Sequence, residues 1–313
     1  MDDQTKIPKV VFVSGVGRSG TTWIAEMLNY GKRFRYVFEP FHPFMQVFPE
    51  YHHMRYVREQ ERDPVMVESI RKLFYDDFEN AWTDHYSGPD AKSCDNRLIK
   101  GIRSNLMVPW LSWMYPENRF IVVLRHPCAT AVSRIKYSEL IGEWAFLDIK
   151  RDLFGQAELV GDYLQPFKNA EPWPTSKDWF ESTVVEWCAT HYVLLKFADR
   201  SNIMFTYYEN MVNNPISELL RLWLFLTGQK YFGGDLPSLP SDLMPPLSVV
   251  DRPSAQDNPG YSAMTRHLNP FTNWMEHVPR EQLDYAGGMI ELFGLGQLYD
   301  VDTPIPLNSK FTR

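Results

Sequence analysis

The 313-residue chain predicts an α/β fold, a parallel sheet flanked by helices, with helical and loop insertions covering the ligand edge of the sheet. Three observations carry that expectation. Short apolar runs of strand length, Val11–Val13 and Phe120–Leu124, show no polar alternation, as strands buried on both faces do. Each run is followed by a turn and a helical pattern, the rhythm of βαβ units. The first turn, Gly15–Gly20, is glycine-rich and runs into a helix start, so its backbone N–H groups can converge on an anion.

The first unit reads VFVSGVGRSGTTW over Val11–Trp23. Gly15 to Gly20 has the spacing of the front of a Walker A loop, G-x-x-x-x-G, but Thr21 and Thr22 stand where Lys and Ser/Thr would follow. The nearest cation is Arg18, inside the loop. Such a loop suits a phosphate ester and is poorly equipped to hydrolyse ATP or GTP; glycine clusters also serve ordinary tight turns.

Tyr36–Phe38 reads as a second strand that Pro40 stops, leaving Glu39 at its end. Flanked by Phe38, Pro40 and Phe41, the Glu39 carboxylate is expected to be partly desolvated and so more basic. The alternative is a surface glutamate paired with Arg33 or Arg35. Residues 44–96 read as an insertion over the sheet edge, helical near Val65–Trp82; His52 and His53 lack metal-ligand spacing. Leu98–Gly101 reads as a third strand, with Lys100 or Arg103 near the ligand edge.

Arg119–Ser133, RFIVVLRHPCATAVS, supplies a fourth strand with Arg125 at its carboxyl end, where open α/β sheets bind ligands. Pro127 marks a helix start. Ser133, eight residues beyond Arg125, falls about two turns into that helix and can face the same anion. An Arg fork with a hydroxyl makes a sensible phosphate clamp. Residues 138–180 mix aromatics, Pro and acids and read as a covering region. Ser182–Arg200 is a strong helix pattern, Ile203–Phe205 a last core strand, and Asn214-Pro215 opens a further helix. Residues 233–260 are rich in Pro, Gly and Ser and read as a loop. The segment EQLDYAGGMIELFGLGQLY reads as a terminal helix docking on the sheet, weakened by Gly287-Gly288.

A hydrophobic content of 44% suffices for a core, and a net charge of −7 argues against a general nucleic-acid binder. Three separated cysteines, Cys94, Cys128 and Cys188, form neither a disulfide framework nor a metal spacing. Cys128, beside Arg125, reads as a small buried residue. No segment has the apolar run of a membrane helix and the N-terminus lacks a signal-peptide pattern, so a soluble, cytoplasmic enzyme is expected.

Together, GxxRSGTTW at Gly15–Trp23 and RHPCATAVS at Arg125–Ser133 resemble the 5′-phosphosulfate and 3′-phosphate motifs of sulfotransferases that use 3′-phosphoadenosine 5′-phosphosulfate (PAPS). The resemblance implies a sulfotransferase-like single domain over residues 1–313, with 44–96 and 138–180 on the acceptor side. It implies donor binding by Gly17, Arg18, Ser19, Gly20, Thr21, Thr22, Trp23, Arg125 and Ser133. Tyr208, in a Tyr-Glu-Asn segment, matches the family residue near adenine, and Arg266 is the candidate cation of a closing C-terminal loop. The RSGTT form and the FEP segment are similar to the carbohydrate branch and its soluble bacterial relatives, in which Glu39 would be the catalytic base beside Arg18. A carbohydrate or glycolipid hydroxyl acceptor is thus expected, with no metal. A small metabolite or carrier-bound hydroxyl is the alternative, with His42 as base for a phenol. More distant readings are an atypical P-loop kinase or a nucleotide-binding protein without catalysis.

Overall fold

The computed structural model describes residues 7–308 except 44, 46, 49–50, 52–53, 77, 88–93, 143–146, 171–172, 176, 230–238, 242–243 and 246–271. Five strands, β1 (Val10–Ser14), β2 (Arg35–Phe38), β3 (Arg97–Gly101), β4 (Arg119–Leu124) and β5 (Ile203–Tyr207), form one sheet in the order β2-β3-β1-β4-β5. All four pairings are parallel. Each expected strand is present, and the apolar runs are buried on both faces, as uninterrupted β-branched strands require.

The period of two divides the strand residues between two helical layers. Val11, Val13, Leu98, Ile121 and Val123 pack with helix α1 (Thr21–Leu28) and later helices α8 (Tyr208–Asn213) and α9 (Pro215–Thr227). Phe12, Ile99, Phe120 and Val122 face the other layer, built from α2 (Pro64–Tyr75), α3 (Val108–Met114), α4 (Pro127–Ile141), α7 (Trp179–Leu195) and α10 (Arg280–Leu292). Between α4 and α7 run two short pieces, α5 (Ile149–Asp152) and α6 (Ala157–Leu159), the latter continuing as a π turn over Val160–Leu164.

Several boundaries differ from expectation for local reasons. Helix α2 starts at Pro64, where the Asp63 side chain accepts from the Val65 and Met66 amides, and ends at Tyr75 rather than near Trp82. Helix α4 carries through Ile141 and stops at Gly142, whose φ of 69° suits a left-handed C-cap, so the covering region begins after it. Pro215 begins α9, but the Asn214 side chain makes no capping bond. Helix α10 spans Gly287-Gly288 and packs on α7 and α4, not on the sheet. Its apolar stripe buries Ala286 and Ile290 and packs Leu283, Tyr285 and Met289 partly against the same core. The two insertions clasp each other: Arg58 pairs with Asp162 at 2.8 Å, Tyr56 donates to Asp162, and Gln156 bonds both Tyr56 N and Met54 O.

Candidate active site

In the strand order, β1 leads off toward β2 while its neighbour β4 leads off toward β5. The crevice beyond the carboxyl ends of β1 and β4 is therefore the topological switch point, where open α/β sheets take their ligands. The glycine-rich loop closes one side of it and Arg125 the other.

The loop is built from its base upward. Asn105 Oδ1 accepts from Ser14 Oγ and, at 2.9 Å, from Gly15 N, while Asn105 Nδ2 donates to Ile102 O at 3.1 Å. The turn that follows β3 thus anchors the start of the loop. Arg18 adopts a φ of 73° and Gly20 a φ of 91° at the N-cap of α1. A Cβ on Gly20 would lie 2.3 Å from the Tyr208 ring, so glycine is needed there for shape as well as for φ. Thr21 and Thr22 are buried at the first turn of α1, where the helix dipole favours an anion.

Arg125 bridges the crevice. Its Nη1 donates to Arg18 O at 2.8 Å, and its guanidinium lies over the Tyr208 ring at 4.5 Å. Tyr208 in turn meets Trp23 edge-on at 5.8 Å. The Arg18 guanidinium sits over Tyr137 at 4.5 Å, and Ser133 lies one helical turn before Tyr137 on α4. The structure therefore gathers the loop residues Gly17–Trp23, Arg125 and Tyr208, with the Ser133 face of α4 beside them. Arg266 lies outside the described residues. Among the described residues, Ser19 Oγ, Arg125 Nε and Thr130 Oγ1 are buried without a hydrogen-bond partner. Buried polar atoms are seldom left so, and unpartnered donors at the loop and at Arg125 are available to the oxygens of an anionic ligand.

Glu39 sits at the end of β2 with a φ of 38° and is almost fully buried. Its backbone is held by Glu39 N donating to Lys100 O and by Trp82 Nε1 donating to Glu39 O at 3.1 Å. Lys100 Nζ lies 2.6 Å from Oε1, and Arg103 Nη1 bonds Oε2. The expected gain in basicity is corrected here. Burial does raise the carboxyl, but the charges of Lys100 and Arg103 and the Lys100 hydrogen bond outweigh it, bringing the pKa down to about 2. Arg35, the suggested surface partner, pairs with Asp84 instead. His42 follows within one turn, its ring against Trp82 at 5.1 Å; burial, then the Arg103 charge, lowers it to about 4. Cys128 is buried, which pushes its thiol up to about 12 and makes it inert, as its apolar surroundings imply.

Two contributors escaped the sequence reading. Asn105 had no signal, since its role depends on β3 lying beside β1. Glu209 follows Tyr208 and accepts from His126 N at 2.9 Å and from Tyr299 OH at 2.8 Å. Among the described residues no cluster of His, Cys, Asp and Glu could hold a metal ion, and no helix is long and apolar enough to cross a membrane.

Residues 8–230 match the sulfotransferase domain family. The chain belongs to that family. As a sulfotransferase, it is an enzyme, and both its glycine-rich loop and its Arg125–Ser133 segment fall inside the matched region. Solved structures similar to it include a sulfotransferase from Alicyclobacillus acidocaldarius, 15% identical, covering 76% of this chain and 88% of that one, with a TM-score of 0.39. Mouse sulfotransferase SULT7A1 complexed with PAP is 13% identical, covers 93% and 84%, and has a TM-score of 0.44. Retinol dehydratase in a complex with retinol and PAP is 15% identical, covers 92% and 82%, and has a TM-score of 0.43. None of the curated proteins matches the chain. Membership in the family rests on the matched sequence.

Proposed function

We propose that this sulfotransferase moves a sulfuryl group from PAPS to a carbohydrate or glycolipid hydroxyl in the cytoplasm, residues 1–313 acting as one domain. The single observation that carries the donor assignment is Arg125, braced across the switch-point crevice by Arg18 O and Tyr208, with its Nε buried and unpartnered among the described residues. The loop amides of Gly17–Thr22, the Thr21 and Thr22 hydroxyls and Arg18 would meet the 5′-phosphosulfate. Arg125 and Ser133 would meet the 3′-phosphate, Tyr208 the adenine side, and Arg266 the phosphate from the closing loop. The 44–96 and 138–180 segments would shape the acceptor side.

In this reading an acceptor oxygen attacks sulfur in line, one S–O bond forms as the bond to the 5′-phosphate breaks, and the proton passes to Glu39. With its pKa near 2, Glu39 is a weak base but is ionised at every working pH. That suffices, because a hydroxyl becomes strongly acidic as it bonds sulfur, and the transfer can follow bond formation. Lys100 and Arg103 stand beside Glu39 and would stabilise charge on the moving group. The loop meets charge developing on the departing phosphate, and positioning supplies much of the rate, as in phosphoryl transfer. No metal takes part in this scheme.

A second reading of the base has an observation in its favour. His42, lowered to about 4, is neutral at pH 7 and donates its backbone N–H to Glu39 O at 3.1 Å, so it stands at the same mouth and would serve a phenolic acceptor. Radiolabelled PAPS incubated with panels of glycan, glycolipid, phenol and carrier-bound hydroxyls tests both. Label in glycans that is lost with Glu39→Gln supports the first reading. Label in phenols that survives Glu39→Gln but not His42→Ala replaces it.

A further inference from the structure

The Arg125-His126 turn is held from four sides, by Trp187, Glu209, Asp300 and Trp274. Trp187 Nε1, on α7, donates to Arg125 O at 2.9 Å. Glu209 Oε1 accepts from His126 N at 2.9 Å, and Glu209 Oε2 accepts from Tyr299 OH at 2.8 Å. His126 caps α4: its Nδ1 accepts from Cys128 N, so Nε2 carries the hydrogen and donates to Asp300 O at 3.0 Å. The imidazole also stacks on Trp274 with ring centroids 4.2 Å apart.

Tyr208 and Glu209 are consecutive, and they grip opposite ends of the same arginine. The Tyr208 ring lies under the guanidinium, and the Glu209 carboxylate takes the amide that follows Arg125. Tyr299 fixes the carboxylate from a segment beyond residue 230, where the family match ends. Glu209 and Tyr299 are buried, so an unmet bond in this chain would be costly and the turn has one stable arrangement. An Arg fork that must meet a phosphate at two nitrogens needs such a fixed backbone.

The geometry points to Glu209 and Tyr299 as positioning residues that set Arg125, and through it the preference for a nucleotide bearing a 3′-phosphate. The C-terminal segment is therefore part of the donor site, not a structural appendage. This rests on the donor reading above.

Calorimetric titration with adenosine 3′,5′-bisphosphate (PAP) and with adenosine 5′-monophosphate separates the two ideas. The wild-type chain should strongly prefer the bisphosphate. Tyr299→Phe should raise its Kd about tenfold while leaving that of the monophosphate within about twofold. Tyr207→Phe is the control: its ring lies 5.7 Å from that of Tyr299, and its hydroxyl is buried with no partner among the described residues, so neither Kd should move. Glu209→Gln, which keeps an acceptor for His126 N, should retain much of the preference that Glu209→Ala loses. Should those chains fail to fold, Trp187→Phe removes another hold on the same turn and should narrow the same ratio. A Tyr299→Phe chain that weakens both nucleotides alike, or neither, overturns the positioning role. A wild-type chain without preference for the bisphosphate overturns the donor reading and this inference with it.

Discussion

Replacing Arg125 by Ala removes the bond to Arg18 O, the cation over Tyr208 and the expected 3′-phosphate contact together. Its PAP affinity should fall about a hundredfold, with Arg125→Lys intermediate because an ammonium lacks the planar fork. Calorimetry on purified variants checks this. Glu39→Gln should instead leave PAP binding intact and lower kcat about a hundredfold or more, read from PAP release. Because burial is overcome by Lys100 and Arg103, Glu39 keeps its charge down to about pH 2. The pH profile of kcat/KM should therefore be flat from pH 8 to pH 5.5. A limb inside that range would contradict Glu39 as the base. Glu39 and Arg125 were legible as residues because each follows a strand, whereas Tyr208 was singled out by the family resemblance of its Tyr-Glu-Asn segment. The Lys100–Glu39–Arg103 group was legible only as separate charges, since β3 must sit between β2 and β1 before they meet. Partial desolvation predicted the wrong sign for Glu39 for that reason.

At the scale of elements, the loop between β1 and α1 makes two of its glycines unequal. Gly20→Ala places a Cβ at φ 91° and 2.3 Å from the Tyr208 ring, and should cost about 2 kcal/mol or more in urea unfolding. A Cβ on Gly17 would meet only Ile102 Cδ1 at 3.6 Å, an ordinary contact. Gly17→Ala should unfold near the wild-type midpoint, and the proposed phosphosulfate contact of the Gly17 amide predicts weaker PAP binding. Equal losses of stability in both variants would contradict this division. β1 and β4 could be read from apolar runs, because a parallel sheet buries both faces and leaves a continuous signal, whereas β3 carries Lys100 within a shorter apolar stretch. Helix extents and partners were less legible: α2 ends early at Tyr75, and an apolar stripe marks the buried face of α10 without saying that α7 and α4 cover it. Asn105 carried no local signal at all, although it fastens the base of the loop.

For the whole molecule, the net charge of −7 coexists with Arg18, Lys100, Arg103 and Arg125 at the carboxyl edge of the sheet, so the proposed anion site is compatible with an acidic chain. Acid stability is set by buried histidines. His126 and His191 are buried and lowered to about 4, for His126 by desolvation against the Asp300 bond and with the Arg125 charge, for His191 by desolvation against its bond to Trp187 O. Both are neutral in the fold but take up protons near 6.5 when unfolded. Their contribution is complete above about pH 6.5 and drains as pH falls toward 4, on the order of 3 kcal/mol for each. Glu39 runs the other way in position: its contribution is complete above 4.5 and is lost only as pH falls toward 2. Urea midpoints should thus drop between pH 7 and pH 5, well above the range in which Glu39 titrates; a midpoint constant over that interval would refute the histidine assignment.

Calorimetric titration of the wild-type chain with PAP in metal-free buffer, with ATP and Arg125→Ala as controls, tests the donor site most directly. The site described here should bind PAP tightly, ATP much more weakly, and lose PAP binding with Arg125→Ala. ATP binding equal to or tighter than PAP, above all with magnesium, would contradict a PAPS site in the β1–β4 crevice.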